Sequence, residues 1–308
     1  MIDTRGLTKY YGNLGALVDL DLHINQGDIF GFIGPNGAGK TTTMRILATL
    51  LEPTRGAAFI DGIDVLRMGK QVRRLVGYMP DFMGVYDDLK VFEYLEFFAA
   101  AFSIPRAKRK ATVEGVLELT DLTGKRAATV DSLSRGMQQR LGLARVLIHD
   151  PKVLILDEPA SGLDPRARIE MRVLLRELKG MGKTIMISSH ILSELEEMCD
   201  HVGIIEHGRL IFSGTMGEIR ARMGISSKLR IRVAANAQQA VEMLSALPQV
   251  RDAQLAGEQI LITLQDGNGG DGAIARTLVQ GNFDVLSIIP EQLKLDDAFL
   301  QLTKGLVH

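Results

Sequence analysis

Gly34-Pro35-Asn36-Gly37-Ala38-Gly39-Lys40-Thr41 follows the pattern G-x-x-x-x-G-K-[ST] without a gap. Glycines at this spacing let a backbone curl until several N–H groups point inward at one anion. Lys40 adds a positive charge able to reach the outer phosphates of a nucleotide, and Thr41 adds a hydroxyl for Mg²⁺. The chemistry of the stretch is recognition of a magnesium nucleotide, ATP above all. Asn36, Gly37, Ala38, Gly39, Lys40, Thr41 and Thr42 are its candidate binding residues. A second constellation is Val153-Leu154-Ile155-Leu156-Asp157-Glu158, an apolar run ending in two acids. Asp157 is expected to hold Mg²⁺ and Glu158 to act as general base on an attacking water. The alternation of a strand predicts that Glu158 points to the side opposite Asp157.

These residues need a frame that brings them together. Residues 1–225 read as alternating strands and helices, which favours an α/β sheet. Ile29 to Ile33 is a short apolar run before the glycine loop, and Thr42 to Leu51 has helical spacing. Val153 to Leu156 and Thr184 to Ser188 have strand length. The stretches after them, Pro165 to Lys179 and Ile191 to Cys199, read as helices. Pro165 suits a first helical turn, where a missing N–H costs nothing. His207-Gly208 between Val202–Glu206 and Arg209–Phe212 reads as a hairpin turn. From Val91 to Leu119 strand signals give way to two helical stretches parted near Pro105, a helical insert.

After Met223 the pattern changes. Strands are predicted at Lys228–Val233, Val250–Leu255, Gln259–Leu264 and Asp284–Ile289. Helices are predicted at Ala237–Leu247, Ala273–Gln280 and Leu295–Leu302, with a loop at Asp266–Asp271. Ahead of the closing helix, the order β-α-β-β-α-β is that of a small ferredoxin-like α+β domain over 226–308.

Composition removes several function classes. The net charge of the 308 residues is −1, so no basic field marks nucleic acid as a partner. The lone cysteine, Cys199, has no internal disulfide partner and reads as a small apolar residue. The first residues lack the apolar core of a secretory signal, and no run offers the roughly 20 apolar residues that cross a bilayer. Met181 and Met186 read as core packing.

Leu133-Ser134-Arg135-Gly136-Met137-Gln138-Gln139-Arg140 precedes the Asp157-Glu158 strand and resembles the signature of ABC ATPases, usually written L-S-G-G-Q. The family order continues in Ser161-Gly162-Leu163-Asp164, similar to the D-loop, and in His190, similar to the switch histidine that contacts the γ-phosphate. Tyr11 resembles the aromatic that stacks on adenine, and Ala16 falls in the same nucleotide-binding set. The resemblance covers about the first 220 residues. It implies a P-loop NTPase domain with an antiparallel β subdomain and a helical subdomain at about 82–150. It also implies head-to-tail pairing of two ATPase domains, with Ser134, Gly136 and Asp164 of one completing the ATP site of the other. A second chain, simplest as a homodimer, and a separate transmembrane permease are then the expected partners. The chain would be cytoplasmic, peripheral on the inner face of the cell membrane.

Three positions depart from the family pattern. Asp81 stands where a glutamine is usual, and it is expected to keep a catalytic and Mg²⁺-sensing role. Arg135 and Met137 replace glycine and glutamine of the signature. This variant signature and the extra domain most resemble ATPases of bacterial and archaeal exporters. The alternative is a soluble ABC-type ATPase acting on ribosomes or DNA. It is disfavoured by the single ATPase domain and by the absence of sustained heptads between loop and signature.

Overall fold

A computed structural model of the chain describes residues 1–82, 84, 88–196, 198–222, 228–264 and 271–291. The chain divides into two compact units, Met1–Met216 and Gly217–His308.

The first unit opens on a long hairpin, β1 (Ile2–Tyr11) and β2 (Leu14–Ile24), paired from Ile2 opposite Ile24 to Tyr11 opposite Leu14. Next come β3 (Ile29–Ile33) and α1 (Lys40–Leu47). β4 (Arg55–Ile60) and β5 (Ile63–Asp64) then join the hairpin in an antiparallel sheet of order β2-β1-β4-β5. α2 (Gly69–Leu75) leads to β6 (Val76–Met79). The helical insert holds α3 (Val91–Ala101) and α4 (Arg106–Leu119), parted at Pro105, and α5 (Arg135–Leu147) follows. The rest is β7 (Val153–Leu156), α6 (Pro165–Gly180), β8 (Thr184–Ser189), α7 (Leu192–Glu196), β9 (His201–Glu206) and β10 (Arg209–Thr215).

The second sheet has the order β10-β9-β3-β8-β7-β6, and every neighbour pair except β10–β9 is parallel. Parallel strands buried on both faces should read as unbroken apolar runs. β3 and β7 do so, β8 carries the apolar run Ile185–Ile187 between buried hydroxyl residues, and every residue of all three is buried. Parallel direction also puts the carboxyl ends on one edge, the place where open α/β sheets bind ligands. There β3 runs into Gly34, β6 into Pro80-Asp81, β7 into Asp157 and β8 into His190.

Some boundaries differ from expectation. The helix after the glycine loop is Lys40–Leu47 rather than Thr42–Leu51, because Thr49 has a left-handed φ of 63°. Of the helix expected over Ile191–Cys199, the described part is Leu192–Glu196, and Cys199 N donates to the Leu195 carbonyl at 2.9 Å. Met186 is fully buried as expected, but Met181 is 58% exposed because it caps the carboxyl end of α6. The hairpin turn is as expected, with His207 and Gly208 at φ 47° and 76°, the hand that matches strand twist.

α8 (Met216–Arg222) precedes the second unit's β11 (Lys228–Val233), α9 (Ala237–Ser245), β12 (Val250–Ala256), β13 (Gln259–Leu264), α10 (Asp271–Gln280) and β14 (Val285–Glu291). The antiparallel sheet runs β12-β13-β11-β14, the arrangement of the expected ferredoxin-like domain. Its core joins Leu229, Ile231 and Ile262 to Leu244 and Leu278 of the two helices. Asp271 opens α10 rather than ending a loop. The loop residues 265–270 and the expected helix Leu295–Leu302 lie outside the described residues.

Candidate nucleotide site

The glycine loop is shaped by what presses on it. A Cβ on Gly34 would lie 2.2 Å from the Ile205 carbonyl oxygen. Gly39 has φ 111°, and a Cβ there would lie 2.6 Å from the Ala16 carbonyl. Only glycine meets both conditions at Gly39. The β9–β10 turn wedges this corner: Gly208 N donates to Ala38 O and Val18 N to Gly208 O, each at 2.9 Å. These bonds set Ala16 beside the loop. Gly39 caps α1 without a side-chain hydrogen bond, and no acid stands in the first turn. The helix therefore offers its N–H groups and positive end to the loop cavity.

That cavity is lined by residues 35–42 together with Asp81, Asp157 and Glu158. Lys40 is 6% exposed; its Nζ donates to Gly34 O at 2.6 Å and Pro35 O at 3.3 Å, and lies 3.6 Å from Glu158 Oε1. Burial lowers its pKa from the ordinary lysine value, opposed by the charges of Glu158 and Asp157.

The two acids do not point apart. Glu158 follows the end of β7 with a left-handed φ of 50°, which breaks the alternation, and both carboxylates line the same cavity. Ser188 fixes them, its Oγ donating to Asp157 Oδ1 at 2.6 Å and accepting from Glu158 N at 2.8 Å. Ser188 is a contact to both acids that motif reading passed over. Its only signal was its place in Ser188-Ser189-His190 at the end of an apolar strand. His190 Nδ1 lies 3.0 Å from Glu158 Oε2.

Among the described residues, no group of three or more His, Cys, Asp or Glu could hold a metal unaided. The oxygen donors of Thr41, Asp81 and Asp157 at one cavity suit a hard cation that arrives with phosphates, as Mg²⁺ does. The residues present fit that ion.

Other expected site residues lie elsewhere. Tyr11 is half-exposed at the β1–β2 turn, its ring under Lys9 Nζ at 5.4 Å, and no described contact joins it to the loop. Ser134 and Asp164 are helix caps: Ser134 Oγ accepts from Met137 N at 3.4 Å, and Asp164 Oδ1 from Ala167 N at 3.0 Å. Gly136 packs on Ala167, and none of these three lines the loop cavity.

A glycine loop between a buried strand and a helix, faced by two carboxylates at the edge of a parallel sheet, defines a P-loop nucleotide hydrolase. A family model described as "ABC transporter" matches residues 17–161. The chain is 37% identical over 306 residues to the bacitracin transport ATP-binding protein BcrA of Bacillus licheniformis, covering 99% of this chain and 98% of that one. It is 39% identical over 214 residues to the Nod factor export ATP-binding protein I of Cupriavidus pinatubonensis, covering 70% and 66%. A solved ATP-binding subunit of an ABC transporter superposes with TM-score 0.66 at 30% identity over 73% of this chain and 94% of that chain. The chain belongs to the ATP-binding proteins of ABC transporters. It is an ATP-binding and ATP-hydrolysing subunit.

Proposed function

We propose that this chain drives an exporter, working as a head-to-tail pair on separate membrane-spanning permease chains at the cytoplasmic face. No helix among the described residues is long and apolar enough to cross a membrane, so the transport path belongs to other polypeptides in this reading. The similarity to a Nod factor export protein of Cupriavidus supports the direction.

In the proposed mechanism, the loop N–H groups and Lys40 hold the phosphates of ATP. Thr41, Asp157 and Asp81 would hold Mg²⁺, which when bound neutralises charge on the β- and γ-phosphates. Glu158 accepts a proton from the attacking water, and the γ-phosphoryl group leaves ADP as phosphate. Ser188 keeps both acids facing the cavity, and His190 orients the Glu158 carboxylate. Ser134 and Gly136 of the second copy close the site from outside, with Asp164 at the adjoining loop. Tyr11 and Ala16 flank the base and sugar.

The observation that supports this reading is the distance in the fold between the glycine-loop cavity and the signature residues. Lys40, Asp157 and Glu158 line one cavity whose lining does not include Ser134, Gly136 or Asp164, and Gly136 instead packs on Ala167 of the helix that Asp164 caps. Purification of the tagged chain from membranes tests it. A co-purifying permease is expected. Recovery with ribosomes and no membrane protein would overturn the transporter assignment in favour of the soluble alternative.

A further inference from the structure

We propose that Arg135 is a positioning residue for ATP hydrolysis, tying the loop that carries Gly162 to the start of the signature helix. Gly162 has φ 67°, and a Cβ there would lie 2.4 Å from Arg135 Cζ and 2.6 and 2.7 Å from its two Nη atoms. The guanidinium therefore fills the space where a side chain on Gly162 would stand. Arg135 and Gly162 are both exposed, so this contact lies at the surface, and the described residues give Arg135 no hydrogen bond or ion pair. Gly162 is close to the reacting centre along the chain. Ser161 N donates to Glu158 O at 3.0 Å and Leu163 N to Ala160 O at 3.3 Å, so the loop turns directly off Glu158.

Behind this contact the two helices are tied again. A Cβ on Gly136 would lie 3.0 Å from Ala167 Cβ, and Arg140 reaches Glu170 at 3.5 Å. The signature end of α5 and the loop before α6 thus form one body, and Arg135 is the part of it that touches the turn leading back to Glu158. A glycine at position 135 would remove the guanidinium from beside Gly162 and leave the turn freer to shift. Small shifts of a reacting group have large effects on rate. The inference rests on the composite-site reading, since it couples the surface offered to a second copy with the carboxylate of its own chain.

The test is steady-state ATPase kinetics of the full chain and of R135G, R135K, G162A and R135G/G162A, each checked for folding by thermal unfolding. R135G should lower kcat about tenfold and leave KM for ATP within about twofold, with R135K recovering most of the loss. G162A should lower kcat in the parent but add less than about twofold in the R135G background, where the new methyl meets no guanidinium. Backbone strain at Gly162 is present in both backgrounds and cancels in the comparison. Independent, multiplying losses, or R135K no better than R135G, would overturn the proposal. ATP-induced pairing of E158Q, with Arg135 intact, is read in parallel by light scattering. Failure to pair overturns the composite site and with it this coupling, whereas pairing combined with multiplying losses overturns Arg135 alone.

Discussion

His190 Nδ1 and Glu158 Oε2 are 3.0 Å apart, on the carboxylate whose other oxygen is 3.6 Å from Lys40 Nζ. Against an ionised carboxylate, which only accepts, His190 Nδ1 is the donor of this contact. One acid thus bridges Lys40 and the residue after β8. In the proposed mechanism nucleotide phosphates would compete for Lys40, freeing one oxygen of Glu158 while His190 holds the other.

Glu158→Gln should therefore lower kcat by about 10²–10⁴-fold with nucleotide binding retained. His190→Ala should lower it about 10²-fold through misorientation of Glu158. Single-turnover hydrolysis and equilibrium nucleotide binding separate the two steps. An E158Q chain with full turnover would remove Glu158 from the mechanism.

Lys40→Ala should weaken ATP binding about 10–100-fold, the worth of hydrogen bonds to a charged group. Burial also gives Lys40 a pH signature. Its folded pKa lies below the ordinary 10.5, so between those two values the unfolded chain holds the extra proton. The contribution of this group to stability therefore rises with pH across that window. Lys40→Met should flatten that part of the melting-temperature profile. A parallel profile would contradict the burial argument.

Asp81, standing where the family resemblance predicts a glutamine, lines the loop cavity just past the end of β6. Asp81→Ala should raise the Mg²⁺ concentration needed for half-maximal ATPase and lower the rate by roughly 10-fold. Asp81→Gln should restore the rate better than alanine does. Unchanged Mg²⁺ dependence in Asp81→Ala would sink the sensing role.

Much of this site was legible in the sequence because its elements obey local rules. The glycine loop, the unbroken apolar strands and the Pro165 helix start each carry their reason in neighbouring residues. What was not legible depended on long-range contact. The left-handed turn at Glu158 is closed by Ser188 from a strand thirty residues later, so the alternation rule placed the acid on the wrong side. The exposure of Met181 depends on where α6 stops, and the Arg135–Gly162 contact on how two helices pack. None of these has a spacing signature.

His149 gives a pH test far from the chemistry. Its ring stacks on Phe102 of the helical insert at 4.0 Å, and its Nε2 donates to the Val76 carbonyl at 3.1 Å. Burial lowers its pKa from the ordinary 6.5, with the Val76 bond opposing. The contribution of this group to stability is therefore complete above 6.5 and is lost as pH falls from there through the folded value. His149→Gln keeps a donor and cannot titrate. Its melting temperature should fall less steeply with acid than that of the parent, and equal slopes would refute the assignment.

Ser134 tests the second copy most sharply, because its hydroxyl has two separable jobs. Its Oγ caps α5 through Met137 N at 3.4 Å, a long bond. Removing such a cap costs about 0.5–2 kcal/mol. Ser134→Asp keeps the cap and favours the helix, yet adds negative charge where the partner's γ-phosphate is expected. Ser134→Arg fills the same space with a long side chain. In an E158Q background, where ATP is bound but not consumed, both variants should bind nucleotide as monomers and fail to pair by light scattering. The aspartate variant decides the matter, since fold damage cannot explain its loss. If it pairs as E158Q does, the signature does not meet the phosphates of a second chain, and the head-to-tail arrangement must be abandoned.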